Sequence, residues 1–330
     1  MTRFTRPEAA GPSADDRTHA RVSQPWRSML LVALALGLGG VSCDRAIFNP
    51  CGGPLAAGSD TDCRLTIGGV ERAFFIHVSD RFDGRPLPLV LDLHGTGSSR
   101  DAQRRISGWV DVADREGLII AHPQALPGRT GRTQWNAGDC CEEGQTADDL
   151  TFLRQVVLAV RGATAVDGDR IFATGLSTGG VMSHFLGCRA ADVFAGIAPL
   201  SFQLSSNLTC DPPLPMNMIE FHAPTDRQRS FDGHTVRRPD GSITRFPSAP
   251  DSAARWAAIN TCDTRAVTTL RRGGSSCVEF PACASARVGF CAIDGSSQVL
   301  GGHVLYTNDD DLDLAEIAWD FLSNVPRRSP

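Results

Sequence analysis

Arg170-Ile-Phe-Ala-Thr-Gly175-Leu-Ser177-Thr-Gly179-Gly180 is the stretch on which the reading of this chain turns. A short apolar run ends in Gly-Leu-Ser-Thr-Gly and passes directly into Val181-Met-Ser-His-Phe-Leu, which predicts a helix. A strand, a sharp turn with serine at its apex and then a helix make a nucleophile elbow. The glycines follow from sterics. Ser177 has to occupy a strained turn, so the residues two before and two after it, Gly175 and Gly179, must lack side chains or collide. In that arrangement the Ser177 hydroxyl stands above the sheet, and the N–H groups that follow aim at a reacting carbonyl.

On both sides of the elbow, strands alternate with helices. Leu65–Gly68 and Glu71–Val78 flank a Gly68-Gly69 turn and predict an opening hairpin. Leu87–His94 reads as a buried strand, Asp101–Glu116 as one helix stopped by Gly117, and Leu118–Pro123 as the next strand. Leu126–Asp148 is a long loop rich in Gly, Arg and Cys, and Asp148-Asp149 caps a helix running to about Ala163. Beyond the elbow, Phe194–Leu200, Met216–His222 and Arg287–Ile293 predict strands. Ala253–Asn260 and Leu312–Leu322 predict helices, with Asp309-Asp310-Asp311 at the N-terminus of the last one, where the dipole favours negative charge. The alternation implies an α/β fold with a mostly parallel central sheet and helices on both faces.

Composition narrows the function. All 32 basic residues among the 330 are Arg, which removes Schiff-base lysine chemistry and a Walker-type phosphate loop. A net charge of −5 offers no basic footprint for nucleic acid. Arg21 and Arg27 precede an apolar run, Met29–Val41, that is short for a bilayer span but suits a signal peptide. Residues 1–43 are therefore expected to be an export signal. Gly-Val-Ser-Cys43 is a loose version of a lipoprotein cleavage site, with Gly where Leu is usual. Cys43 is then either a lipid anchor, the one expected membrane contact, or a disulfide partner behind an ordinary secretion signal. Eleven cysteines fit an extracellular or cell-envelope protein, and with Cys43 lipidated the other ten can all pair. Cys262, Cys277, Cys283 and Cys291 lie close enough in sequence to pair among themselves. No C-x-x-C occurs, so no structural zinc is expected. Residues 44–63 read as a linker or N-terminal strap, 64–326 as one catalytic domain and 327–330 as a tail.

A serine so presented needs an acid and a histidine after it in the chain. His19, His77, His94 and His122 precede Ser177, His184 follows on the elbow helix, and His222 lies inside a strand. His234, in a polar loop, and His303 remain. His303 is preferred because it follows the last strand and has Gly301-Gly302 before it to let the backbone approach. Asp226 is the acid immediately past the end of an apolar strand, the edge where α/β sites gather, with Asp232 as fallback. The oxyanion donors are expected to be the Thr178 N–H and an N–H from the loop after His94, Thr96 or Gly97. This constellation needs no metal and no cofactor.

His94-Gly95, Trp135-Asn136, Cys140-Cys141, Asp148-Asp149, the Gly175–Gly180 run, Thr225-Asp226 and Gly302-His303 together resemble the secreted polyhydroxybutyrate depolymerase and feruloyl-esterase-like family of α/β hydrolases. The resemblance covers roughly Leu65 to Val325. It implies the catalytic triad Ser177, Asp226 and His303, puts Trp135 and Asn136 at the substrate, and implies an exported esterase acting on hydroxyalkanoate or plant cell-wall esters. Two departures stand out. Ala223-Pro224 replaces a Gly usual before the Thr of Thr225-Asp226, and Val304-Leu305-Tyr306 replaces the Trp-Pro usual after the histidine. The rival expectation is a surface-anchored binding protein that keeps the fold without turnover.

Overall fold

The computed structural model describes residues 50–138, 140, 141 and 145–324. The expected export signal, Cys43 and the tail lie outside the described residues. The chain opens with the expected hairpin, β1 (Asp60–Ile67) and β2 (Val70–Val78), closed by Gly68 and Gly69 at φ 56° and 83°. β3 (Leu87–Leu93), α1 (Arg100–Ile106), α2 (Trp109–Glu116) and β4 (Ile119–Pro123) follow, then α3 (Asp149–Ala163). The elbow joins β5 (Val166–Leu176) to α4 (Thr178–Arg189), and β6 (Gly196–Leu200) and β7 (Asn217–His222) come next. A separate hairpin, β8 (His234–Arg237) with β9 (Ile243–Phe246), leads into α5 (Ala249–Ile259). The chain then runs through β10 (Val267–Arg272), β11 (Ser275–Phe280) and β12 (Val288–Ala292) to α6 (Leu314–Ser323).

Ten strands form one sheet in the order β1-β2-β4-β3-β5-β6-β7-β12-β11-β10. The inner run from β4 to β12 is parallel, and antiparallel strands flank it at both ends. This is an α/β-hydrolase architecture, with the elbow strand near the middle. One face buries Phe152, Val156, Met182, Leu186 and Trp256 from α3, α4 and α5; the other buries Trp109, Val112, Trp319 and Leu322 from α2 and α6. Helix α4 is buried on nearly every side, as its even hydrophobicity requires.

Three sequence expectations change. The single helix Asp101–Glu116 is two, because Gly108 takes a left-handed φ of 75° and caps α2 instead of continuing α1. β1 begins at Asp60, inside the expected strap, and the Cys51–Cys63 disulfide fastens that segment to it. Asp309–Asp311 lie before the first turn of the last helix instead of in it, and the cap is Asp313, accepting from the Glu316 N–H at 3.0 Å. Asp309 and Asp310 instead accept from Ser297 and Ser275 N–H groups, both at 2.8 Å, and so staple neighbouring loops. All ten described cysteines pair, with Cys262–Cys283 and Cys277–Cys291 formed within the expected set, alongside Cys188–Cys210 and the vicinal Cys140–Cys141.

The elbow is packed too closely for side chains. A Cβ on Gly175 would lie 2.6 Å from the Leu93 carbonyl oxygen, and one on Gly180 2.7 Å from that of Leu200. A Cβ on Gly179 would overlap the Leu93 carbonyl outright. These neighbours are backbone in central strands and cannot move aside. Gly179→Ala is therefore expected to destabilise the fold by about 3 kcal/mol. A urea midpoint that stays at the wild-type value would contradict the close approach of β3 to the elbow.

Candidate active site

Ser177 sits at the tip of β5 with φ 56° and ψ −119°, a left-handed backbone that a non-glycine residue adopts at a cost of about 1–3 kcal/mol. Its N–H donates to the Leu200 carbonyl at 2.9 Å, which ties the strained residue to β6. The Thr178 N–H, first in α4, has no intrahelical acceptor. Facing it is the loop after β3. There the Gly97 N–H is committed to the Thr133 carbonyl at 2.8 Å, whereas the Thr96 N–H makes no hydrogen bond among the described residues. Of the two sequence candidates for the second oxyanion donor, only Thr96 has an uncommitted N–H. The Thr96 and Thr178 hydroxyls are 3.0 Å apart, and the Gln134 side-chain amide donates to Thr96 Oγ1 at 3.0 Å. Gln134 was not singled out in the sequence, although the Trp135-Asn136 motif begins at the next residue.

His94 holds this loop from below. Burial pushes its imidazole down to about 4, so it stays neutral. Nδ1–H donates to the Gly95 carbonyl at 2.8 Å, leaving Nε2 to accept from the Ala125 N–H at 3.1 Å. Trp135 Nε1–H donates to the His94 carbonyl at 2.8 Å.

Trp135 is fully buried, and neither it nor Asn136 lines the cleft. The resemblance put both at the substrate; the structure uses them beneath it. The Asn136 N–H donates to Asp149 at 2.7 Å, and Asp149 pairs with the buried Arg72 guanidinium at 2.6 Å. That guanidinium lies 3.9 Å from the centroid of the Phe152 ring. Asp148 caps α3 through the Thr151 N–H at 2.9 Å. The Asp-Asp-x-x-Phe string thus fastens the long loop to α3.

Asp226 and His303 meet across the sheet edge. His303 Nδ1–H donates to Asp226 Oδ2 at 2.8 Å, and Asp226 Oδ1 accepts from the Gln228 and Arg229 N–H groups at 2.8 and 2.9 Å. Burial pushes the Asp226 carboxyl up. Hydrogen bonds from His222, His303 and the Arg229 N–H outweigh that and hold it well below the usual carboxylate range. His222, set aside in the sequence as a strand residue, supports this loop: its Nε2 donates to the Arg229 carbonyl at 2.8 Å and lies 3.4 Å from Asp226. Gly301 and Gly302, at φ 66° and 82°, allow the histidine loop to pack on Thr225 and Ala223, where a Cβ on Gly302 would come within 3.0 Å of Ala223. His234 lies on β8 with its ring stacked 4.8 Å from Phe246 and does not line the cleft; Asp232 is no partner of His303.

Ser177, His303, Thr96 and Gln134 share the wall of one cleft of about 370 Å³, whose apolar lining is Ile106, Leu176, Leu300 and Val304. With its Nδ1 donating, His303 leaves the Nε2 lone pair for a proton. Ser177 Oγ has no hydrogen bond among the described residues. No cluster of metal ligands occurs among those residues either.

Fold and elbow together define an α/β hydrolase. No family model matches the chain. Among individual proteins, feruloyl esterase B of Piromyces equi is 29% identical over 71% of this chain but only 41% of its own length, so the chain spans less than half of that relative. NocK of Nocardia uniformis subsp. tsuyamanensis, named as an esterase, is 29% identical over 82% of this chain and 84% of its own. The poly(3-hydroxybutyrate) depolymerase of Ralstonia pickettii is 33% identical over 33% of this chain and 24% of its own. A solved acetyl xylan esterase from Aspergillus awamori superposes with a TM-score of 0.48 at 12% identity, over 69% of this chain and 91% of that one. The chain is a relative of the feruloyl esterases and polyhydroxybutyrate depolymerases.

Because the folded Asp226 carboxyl is depressed, its stabilising contribution is present above the ordinary carboxylate range and is lost as pH falls toward the folded value. The stability gap between wild type and Asp226→Asn should be widest near neutral pH and shrink below about pH 4. Urea midpoints at pH 7, 4 and 2.5 check this, and a constant gap would contradict it.

Proposed function

We propose that the chain is an exported serine esterase working through Ser177, His303 and Asp226. His303 Nε2 takes the Ser177 proton as Oγ attacks the ester carbonyl carbon, and the oxyanion rests on the Thr178 and Thr96 N–H groups. His303 then protonates the leaving alkoxide, giving an acyl-enzyme and free alcohol. Water attacks the acyl-enzyme with the same imidazole as base, releasing the acid and restoring Ser177. Asp226, kept ionised, fixes the Nδ1–H tautomer and balances the imidazolium. The gap between Ser177 Oγ and His303 closes on substrate binding in this scheme, since such contacts are often long in unliganded enzymes.

The observation that carries the reading is the left-handed Ser177 set in one cleft with an Asp-bound histidine. Esterase names among the relatives support the substrate class, and short hydroxyalkanoate esters or feruloyl and acetyl esters of plant polysaccharide are the candidates. Five disulfide pairs support an oxidising, extracytoplasmic location. Hydrolysis of p-nitrophenyl acetate should fall by about 10³-fold or more in Ser177→Ala. Thr96→Ala should be mild, because the donor is backbone, while Thr96→Pro should cost on the order of 10²-fold or more in kcat. Activity that survives in Ser177→Ala, or equal damage from the two Thr96 variants, would overturn the respective assignment.

A further inference from the structure

The chain has 37 acidic residues against 32 basic ones, yet the wall of the cleft is cationic. Apart from His303, its titratable lining residues are Arg132 and Arg229, and no carboxylate lines it among the described residues. The two arginines differ. Arg229 is built into the fold: its N–H holds Asp226, and its guanidinium lies 4.7 Å from the centroid of Phe202. Arg132 is exposed, and its guanidinium has no hydrogen bond or ion pair among the described residues. Arginines elsewhere in the chain are paired, Arg100 with Asp62 and Arg154 with Asp192, both at 2.6 Å.

The position of Arg132 matters more than its freedom. Its Nε would lie 3.2 Å from a Cβ built on Gly97, so the guanidinium rests against the backbone just after Thr96. Gly97, at φ 71°, leaves the space this contact needs. A planar cation with several uncommitted N–H donors thus borders the oxyanion loop, in the same cleft as Ser177. A guanidinium recognises a carboxylate through paired N–H···O bonds.

We propose that Arg132 forms an anion subsite, and that the preferred esters carry a free carboxylate close to the scissile bond, on either the acyl or the alcohol part. The proposal rests on the esterase reading of Ser177 and adds the charge of the substrate to it. A carboxylate-terminated hydroxyacid oligomer has this chemistry; an internal ester of a neutral polysaccharide does not. Arg132 would bind the substrate and leave the covalent steps to Ser177 and His303.

Two substrate pairs test it, each read as the ratio of kcat/KM for the anionic over the neutral ester. Mono-p-nitrophenyl glutarate against p-nitrophenyl pentanoate puts the carboxylate on the acyl side. The 3-hydroxybutyrate dimer as free acid against its methyl ester puts it on the alcohol side. In at least one pair the ratio should fall about tenfold from wild type to Arg132→Gln, mainly through KM, fall less in Arg132→Lys, which keeps the charge but not the paired donors, and decline with added salt. The pair that responds identifies the side of the ester. Unchanged ratios in both pairs would overturn the subsite while leaving the esterase reading in place. Wild-type protein inactive on all four esters, or active without Ser177, would overturn the esterase reading itself. Melting temperatures confirm that the variants fold, as expected for an exposed side chain.

Discussion

The backbone of Ser177 is held in a conformation that an L-residue avoids, and much of the surrounding structure exists to keep it there. Its φ of 56° persists because Gly175 and Gly179 let β3 approach to contact distance and because its N–H is fixed to β6. The strain lifts the hydroxyl off the sheet and turns the start of α4 toward the same space. Neither neighbour can relax without breaking the parallel pairing of β5 with β3 and β6.

Around that centre, polar side chains do the supporting work more than apolar ones. His94 and Trp135 brace the loop after β3, Arg72 and Asp149 brace Asn136 behind it, and His222 braces the loop of Asp226. Each is buried and has at least one hydrogen-bond partner, so part of its desolvation is offset in place. Directional bonds of this kind fix the orientation of the groups they hold.

Much of this was legible in the sequence. The elbow glycines and the Gly301-Gly302 pair have a local steric reason and appear where it put them, and the apolar runs expected to end at His94 and His222 form strands ending at Leu93 and His222. The β10–β11 hairpin was not legible, because β10 is exposed and polar and its place is set by pairing with β11, itself fastened to β12 through Cys277–Cys291. Trp135 and Asn136 carried a motif whose residues turn inward, a matter of side-chain direction that spacing in a loop does not encode. Gln134 and His222 contribute through partners more than thirty residues away or on another loop, and the residues beside them do not name those partners.

The central claim is that this strained serine is a nucleophile activated by an imidazole delivered from the loop after β12. Labelling with a fluorophosphonate probe, with the modified peptide located by mass spectrometry, tests it most directly. The account predicts one adduct, on Ser177, whose rate of formation drops at least a hundredfold in His303→Ala. No adduct on the folded wild-type protein, or an adduct formed equally fast without His303, would contradict it.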